Sequence, residues 1–325
     1  MLNSPIKTIT NNRKWRTYSK INLGYSDEIK YHVINYKNEE YLIKIGSYNN
    51  FPRKQLVYRL LKKISNLPFK KPQNFDYGYF NEKNNVFSIQ SWIDGEVLKD
   101  KINLLPQTTK YMLGKIAGSS LNMIHKIKLD EKDCVPINLI RRRRAKKMLL
   151  YMNSKMKTGY DNILINFIND NINKINDFVP CYIHHDFHLN NMIIDKDLKF
   201  GIIDFDKATV EDPILDLVKI QMYDVDISYE FCLGVLNGYF DKNIPNTFWL
   251  KYAVLTAYNC LSLSLWANSK GLSEILKVNR IVKGVLKQYD NFNNFIPHWY
   301  YRLAIKPNAE QFKFNKEFKI DITED

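Results

Sequence analysis

Cysteine is sparse in this chain. Its four cysteines (Cys134, Cys181, Cys232 and Cys260) form no C-x-x-C pair, and nothing at the N-terminus resembles a secretory signal. Both point to a reducing compartment, with the cytoplasm as the expected location. Long apolar runs are missing as well. The longest, Ala253–Ala267, is too short to span a bilayer and carries Asn259, so a buried helix is expected there and no membrane partner. There is no internal repeat and no long low-complexity linker. Acidic residues are absent between Glu40 and Asp76.

With 325 residues, 45% hydrophobic and 14% aromatic, the chain can bury a large core. Its formal charge is +14, from 48 basic and 34 acidic residues. Such an excess could serve nucleic acid or a membrane surface. Most of the lysines are dispersed, however, among many Asn and Ile. The one dense cluster is Arg141–Arg144 with Lys146 and Lys147. Four consecutive residues on a helix point in four directions and cannot form one narrow stripe along a phosphate backbone. A solvated helix is expected, and nucleic-acid binding is disfavoured.

The informative stretch is His184-His185-Asp186-Phe187-His188-Leu189-Asn190-Asn191, followed by Gly201-Ile202-Ile203-Asp204-Phe205-Asp206. An Asp stands five residues before an Asn, and a second Asp follows thirteen residues later. That is the spacing of a phosphoryl-transfer loop, H-x-D-x-x-x-x-N, and its metal-binding D-F-x turn. The chemistry calls for these residue types: a carboxylate orients the attacking hydroxyl and takes its proton, while an amide oxygen and another carboxylate hold Mg²⁺. Asp186 is the candidate base, Asn191 and Asp204 the candidate metal ligands. The flanks agree, with Cys181–Ile183 as an apolar lead-in and short strands over Asn191–Ile194 and Lys199–Ile203 around an Asp195-Lys196-Asp197 turn. The three histidines could suggest zinc, but Mg²⁺ prefers oxygen ligands and the first His of such loops supports backbone.

These motifs resemble the aminoglycoside phosphotransferases and their choline-kinase-like relatives, whose loop reads H-G-D-x-H-x-x-N. His188 fills the second His position. The resemblance extends to Asp212-Pro213 and Asp216-Leu217, similar to a D-P-x-x-D-L run. It also takes in Ser91-Trp92-Ile93-Asp94-Gly95-Glu96, which looks like a hinge, and Tyr289-Asp290 with Pro297-His298-Trp299-Tyr300 near the end. It implies a two-lobed protein-kinase-like fold and a kinase using Mg²⁺ with ATP or GTP on a hydroxylated small molecule, most notably an aminoglycoside antibiotic. It further implies that Gln90, Ser91 and Ile93 line the nucleotide site, and that His184, His188 and Asp216 support the loop.

The pattern along the chain fits that fold. Strands are expected at Thr17–Asn22, Ile29–Tyr36, Tyr41–Ile45, Phe75–Phe80 and Val86–Trp92, with one helix at Lys54–Ile64. Helices follow at Thr108–Lys126, Leu139–Met156, Asn162–Ile175, Ile227–Phe240, Phe248–Ala267 and Glu274–Tyr289, and Asp216 lies on another just after the metal turn. The expected class is α+β: residues 1–93 form a small lobe with a five-stranded antiparallel sheet, and residues 94–325 a large, mainly helical lobe. His125, with Gly114 and Gly118 as close-packing positions one turn apart, reads as structural.

In the small lobe, Lys44 lies between apolar neighbours on the third strand and is the candidate phosphate-holding residue. Gly24 and Ser26 could bring backbone N–H groups of the first turn to the phosphates, or simply make a hairpin turn. Kinase-like folds pair the strand Lys with a Glu on the next helix. None is available here. Alignment puts Val57 at that position with Gln55 nearby, so either another carboxylate organises Lys44, or the pair is absent, or the helix register differs. A catalytically silent nucleotide-binding protein is the alternative that follows. The acceptor stays open between an aminoglycoside, a macrolide, an amino alcohol and a sugar. Asp212, Asp224, Asp226, Glu230 and Asp321–Asp325 could receive ammonium groups or be solvated surface, and the basic net charge disfavours steering a polycation.

Overall fold

The computed structural model describes Ile6, Ile9 and residues 14–22, 27–80, 84–155, 157–175 and 177–305. The chain starts with three antiparallel strands, β1 (Trp15–Ile21), β2 (Ile29–Asn35) and β3 (Glu40–Ser47). Asn38 makes the β2–β3 turn with φ of 61°, a conformation asparagine tolerates. Asn35 Oδ1 accepts from the N–H groups of Lys37 and Glu39 to hold that turn. Helix α1 (Phe51–Lys63) follows, with Pro52 in its first turn where a missing N–H costs nothing. Strands β4 (Asn74–Phe80) and β5 (Asn85–Ser91) complete a sheet ordered β1-β2-β3-β5-β4. One face is apolar, because Val33, Tyr41, Ile43, Ile45, Phe87 and Ile89 alternate inward onto Ile6 and Ile9. The other face carries Lys44 and Ser88, and α1 reaches it with Lys54.

Strand β6 (Glu96–Val97) leads to helices α2 (Leu98–Lys101), α3 (Gln107–His125), α4 (Ile137–Met152) and α5 (Asp161–Asn171). Strand β7 (Cys181–Ile183) precedes the loop, and β8 (Met192–Ile194) and β9 (Phe200–Ile202) form a hairpin after it. Asp195 Oδ1 accepts from Asp197 and Lys199 N–H groups and closes that hairpin's turn. After β10 (Thr209–Glu211), which pairs with β7, come α6 (Ile214–Tyr223), α7 (Tyr229–Tyr239), α8 (Asn246–Asn268) and α9 (Leu272–Gln288).

The chain forms two compact units, residues 1–97 with 191–209, and residues 98–190 with 210–325. This differs from a single cut at 93/94. The reason is backbone pairing: β6 pairs with β8, and Lys70 exchanges hydrogen bonds with Phe200 and Ile202 across a bridge to Gly201. Both draw the β8–β9 hairpin into the first unit. The expected strands and helices otherwise arise within a few residues of their places. Leu139–Met156 is shorter, ending at Met152, and Asn162–Ile175 finishes as a 3₁₀ turn from Ile172. The two-residue β6 and the three-residue β10 carry too little pattern to expect from sequence.

In the second unit, α3 packs on α7 with backbones in contact. A Cβ at Gly118 would fall on the Val235 carbonyl, and one at Gly114 on that of Phe231, while α7 answers with Gly234 and Gly238. Helix α8 contains the Ala253–Ala267 run and is buried around most of its circumference. No helix among the described residues is long and apolar enough to cross a membrane.

Candidate active site

In the first unit, Lys44 is 1% exposed on β3, and its Nζ lies 2.9 Å from Asp204 Oδ1 and 2.6 Å from Asp206 Oδ2. Burial alone would depress the ammonium, but the two carboxylates beside it raise its pKa instead. Asp204 follows β9 in the left-handed region (φ 60°, ψ 59°), a conformation an Asp tolerates but one that stores strain, as functional turns often do. Its other oxygen, Oδ2, lies 3.1 Å from Lys30 Nζ. Burial would push the Asp204 carboxyl up, yet the Lys44 and Lys30 ammoniums hold it well below the usual carboxylate range. Asp206 is pushed up to about 6, chiefly by burial, with Lys44 opposing and the Asp204 charge adding to the rise.

Asn191 and Asp204 flank the open end of the β8–β9 hairpin. The Asn191 carbonyl accepts the Ile203 N–H at 2.9 Å, so the residue before Asp204 is locked against the end of the loop. The residue types here, one amide and two carboxylates, offer oxygen donors. That set suits Mg²⁺, which takes one or two carboxylates and completes its shell with phosphate and water. Two ammonium groups on the two oxygens of Asp204 show that the position attracts a cation. Among the described residues, no group of three or more His, Cys, Asp or Glu side chains is placed to hold a metal.

Helix α1 departs from the expected register. Val57 is a core residue, 4% exposed. The α1 side chain that reaches the Lys44 region is Lys54, one turn earlier and opposite in charge to a Glu. Its Nζ lies 2.9 Å from Glu28 Oε1 and donates to Ser88 Oγ at 3.2 Å. Gly46 makes room for this pair, since a Cβ there would stand 2.6 Å from Glu28 Oε1. The carboxylates that meet Lys44 are Asp204 and Asp206, from the turn after β9.

In the second unit, the loop is held at both ends by buried carboxylates. Asp216 accepts from the His184 N–H at 2.7 Å and the His185 N–H at 2.5 Å, and meets His125 Nε2 at 3.1 Å. His125 is oriented in turn by the Tyr239 hydroxyl at 2.8 Å. Burial opposes ionisation of Asp216, but its bonds with His125 hold its pKa below the usual value. Asp224 accepts the Leu189 N–H through both oxygens, at 3.2 and 3.1 Å, and burial pushes its pKa well up. Between these anchors, His184 Nδ1 accepts the Asp186 N–H at 3.3 Å. His188 Nε2 stands 3.4 Å from Asp186 Oδ1, and its ring packs on Tyr223. The result is a carboxylate, 16% exposed, fixed on a rigid loop.

Gln90 is buried on β5, Ser91 exchanges hydrogen bonds with Gln73, and Ile93 follows the strand. Trp92 and Ile93 border a pocket of about 300 Å³ with Phe69, Lys70, Lys71 and Asp94, which includes neither Lys44 nor Asp204. Gly24 and Ser26 lie outside the described residues.

A family model described as the phosphotransferase enzyme family, APH, matches residues 17–250. The chain belongs to that family. No curated protein matches it in sequence. Among solved structures it is similar to the ADP-bound aminoglycoside phosphotransferase APH(2'')-Ib, with a TM-score of 0.64 and 19% identity over 90% of this chain and 99% of that one. It is also similar to a thermostable APH(4)-Ia mutant with ADP and hygromycin B (TM-score 0.64, 15% identity, 86% and 97% covered). A third is the spectinomycin phosphotransferase APH(9)-Ia with ADP and spectinomycin (0.61, 14%, 86% and 92%). At these identities the likeness establishes the kinase-like fold.

Four features of this phosphotransferase escaped sequence reasoning: Lys30, Asp206, the Lys54–Glu28 pair and the loop-holding role of Asp224. Asp206 had a signal in the second Asp of Asp204-Phe205-Asp206. Lys30 had one as well, a charge on β2 at even spacing from Val33's neighbours. Asp212 and Asp224 are 0% and 1% exposed, so neither is solvated surface open to a substrate. Asp226 and Glu230 remain accessible, and Asp321–Asp325 lie outside the described residues. Of the basic run, Arg142 and Arg143 are exposed, whereas Arg144 is buried against Glu211 at 2.5 Å.

Proposed function

We propose that this phosphotransferase is a small-molecule kinase that moves the γ-phosphoryl group of ATP or GTP to a hydroxyl of an aminoglycoside-type antibiotic. The observation that carries the reading is the Asp186 carboxylate, on a loop whose backbone is clamped by Asp216 and Asp224. Asp186 orients the acceptor hydroxyl and takes its proton, with His188 fixing the carboxylate. The acceptor oxygen bonds to the γ-phosphorus as the bond to the β-phosphate oxygen breaks, and the nucleoside diphosphate leaves. Lys44 holds the phosphates. Asp204 and Asn191, with Asp206 adjacent, would hold Mg²⁺, which offsets phosphate charge when bound. Gln90, Ser91 and Ile93 serve the nucleotide base, and His184 and Asp216 keep the loop in shape.

The formal charge of +14 favours a second reading of the acceptor: a macrolide, an amino alcohol or a sugar, each with fewer ammonium groups, suits a basic protein better than a polycation does.

The test is transfer of labelled phosphate from ATP and from GTP, with Mg²⁺, across aminoglycosides, macrolides, choline and simple sugars. Asp186→Asn should lower turnover on the responsive acceptor by about 10²–10⁴-fold and leave nucleotide affinity near that of the parent. Near-normal turnover would remove Asp186 as base. Nucleotide binding with no transfer to any acceptor would favour the catalytically silent alternative.

A further inference from the structure

Lys30 and Lys44 lie directly opposite each other in the β2–β3 register, so their side chains leave one face of the sheet together. Like charges in this relation repel and weaken a sheet. Burial sharpens the cost, for the Lys30 side chain is 13% exposed and that of Lys44 only 1%. The two ammoniums share one carboxylate, Lys30 on Asp204 Oδ2 and Lys44 on Asp204 Oδ1. Lys44 has a second carboxylate in Asp206, while Lys30 meets Asp204. A scaffold needing only stability would place an apolar side chain at position 30. A pair of cations facing one way suits a ligand with several negative oxygens.

We propose that Lys30 is a second polyphosphate-binding lysine that works beside Lys44 and gives up Asp204 when the nucleotide and its divalent cation arrive. The proposal rests on the reading that the donor is a nucleoside triphosphate. A divalent cation alone must compete with two ammoniums for Asp204. A polyphosphate alone must compete with Asp204 for the same ammoniums. Together they resolve both competitions, because the cation takes the carboxylate and the phosphate oxygens take the lysines. Lys30 thereby makes binding of the two ligands mutually dependent, a coupling that is reciprocal by linkage.

The test uses Mn²⁺ as the probe on the full chain, measured by electron paramagnetic resonance without nucleotide and by calorimetry with ATP or GTP present. Lys30→Met keeps the aliphatic bulk and removes the charge, Lys30→Arg keeps the charge, and Lys44→Met is the control. Thermal unfolding checks that each variant is folded. Lys30→Met should bind Mn²⁺ alone several-fold more tightly and Mn²⁺-nucleotide about tenfold more weakly, reversing sign between the two measurements. Lys30→Arg should restore most of the nucleotide affinity. If Lys30→Met changes neither affinity while Lys44→Met weakens the nucleotide complex, Lys30 is an ion pair of the fold and the proposal is wrong. If the parent protein binds no Mn²⁺-nucleotide at all, the nucleotide reading itself has failed, and this inference with it.

Discussion

His185 takes a left-handed backbone (φ 64°) beside Asp186. Burial, followed by the charge of Lys219, pushes its imidazole down to about 3. The unfolded chain takes up a proton there near the ordinary value of about 6.5, while the folded protein stays neutral until about pH 3. The unfolded state therefore binds more protons throughout this window, and stability falls as pH falls from 6.5 toward 3. The ceiling for one group is about 1.4 kcal/mol per pH unit. His185→Asn, which keeps a residue tolerant of positive φ, should flatten the decline between pH 6.5 and 4.5 in denaturant titrations. Asp216 adds acid lability of the same sign only below the ordinary carboxylate range, since its folded pKa is lowered. An identical pH slope in parent and variant would mean that the folded protein protonates His185 freely. The residues proposed for phosphoryl transfer, Asp186, Asn191 and Asp204, stand out in the sequence because that chemistry restricts both residue type and spacing. Lys30, Asp206 and Asp224 carry a weaker signal or none, since each meets a partner distant in sequence, 174 positions away for Lys30 and Asp204.

Two glycines per helix let α3 and α7 approach until backbone meets backbone. Gly118→Ala sets a methyl group against the Val235 carbonyl, and neither backbone can yield without parting the helices. A loss of about 1–3 kcal/mol is expected, as for other overpacked interfaces, visible as an earlier denaturant midpoint. Unchanged stability would mean that the helices slide to absorb the methyl group. The spacing of Gly114 and Gly118 marked this contact in advance, because two small residues one turn apart line one helical face. Helix α1 shows the opposite case. Its periodicity located the helix, but periodicity has no marker for which turn faces Lys44, and the register came out one turn away, at Lys54. Val57→Glu accordingly places a carboxylate in a core position 4% exposed, not an ion-pair partner beside Lys44. It should cost several kcal/mol and lower soluble yield, with no gain in nucleotide affinity. A well-folded variant with improved nucleotide use would restore the original register.

The division of the whole chain follows backbone pairing more than sequence order. Residues 191–209 belong with 1–97 because three connections need them: β6 on β8, the Lys70 bridge to Gly201, and Lys44 with Lys30 on Asp204. Nothing local in the sequence announces this. The bonds at Lys70 span about 130 positions, and a cut at 93/94 follows from the hinge-like Ser91–Glu96 segment and the change from strands to helices after it. A polypeptide of residues 1–97 should therefore fail to fold by itself. It lacks partners for β6 and for the Lys70 backbone, and it leaves Lys44, 1% exposed, without the carboxylates that make its burial tolerable. Joining residue 97 to residue 191 supplies all three. Val97 lies opposite Ile193 in the β6–β8 register, so a linker of a few Gly and Ser residues can close the gap. The joined polypeptide, 1–97 followed by 191–209, should show a cooperative urea transition that residues 1–97 lack. If residues 1–97 alone unfold cooperatively at the same urea concentration, the hairpin contributes nothing to that unit's stability. The small sheet would then be the self-sufficient lobe that composition suggests.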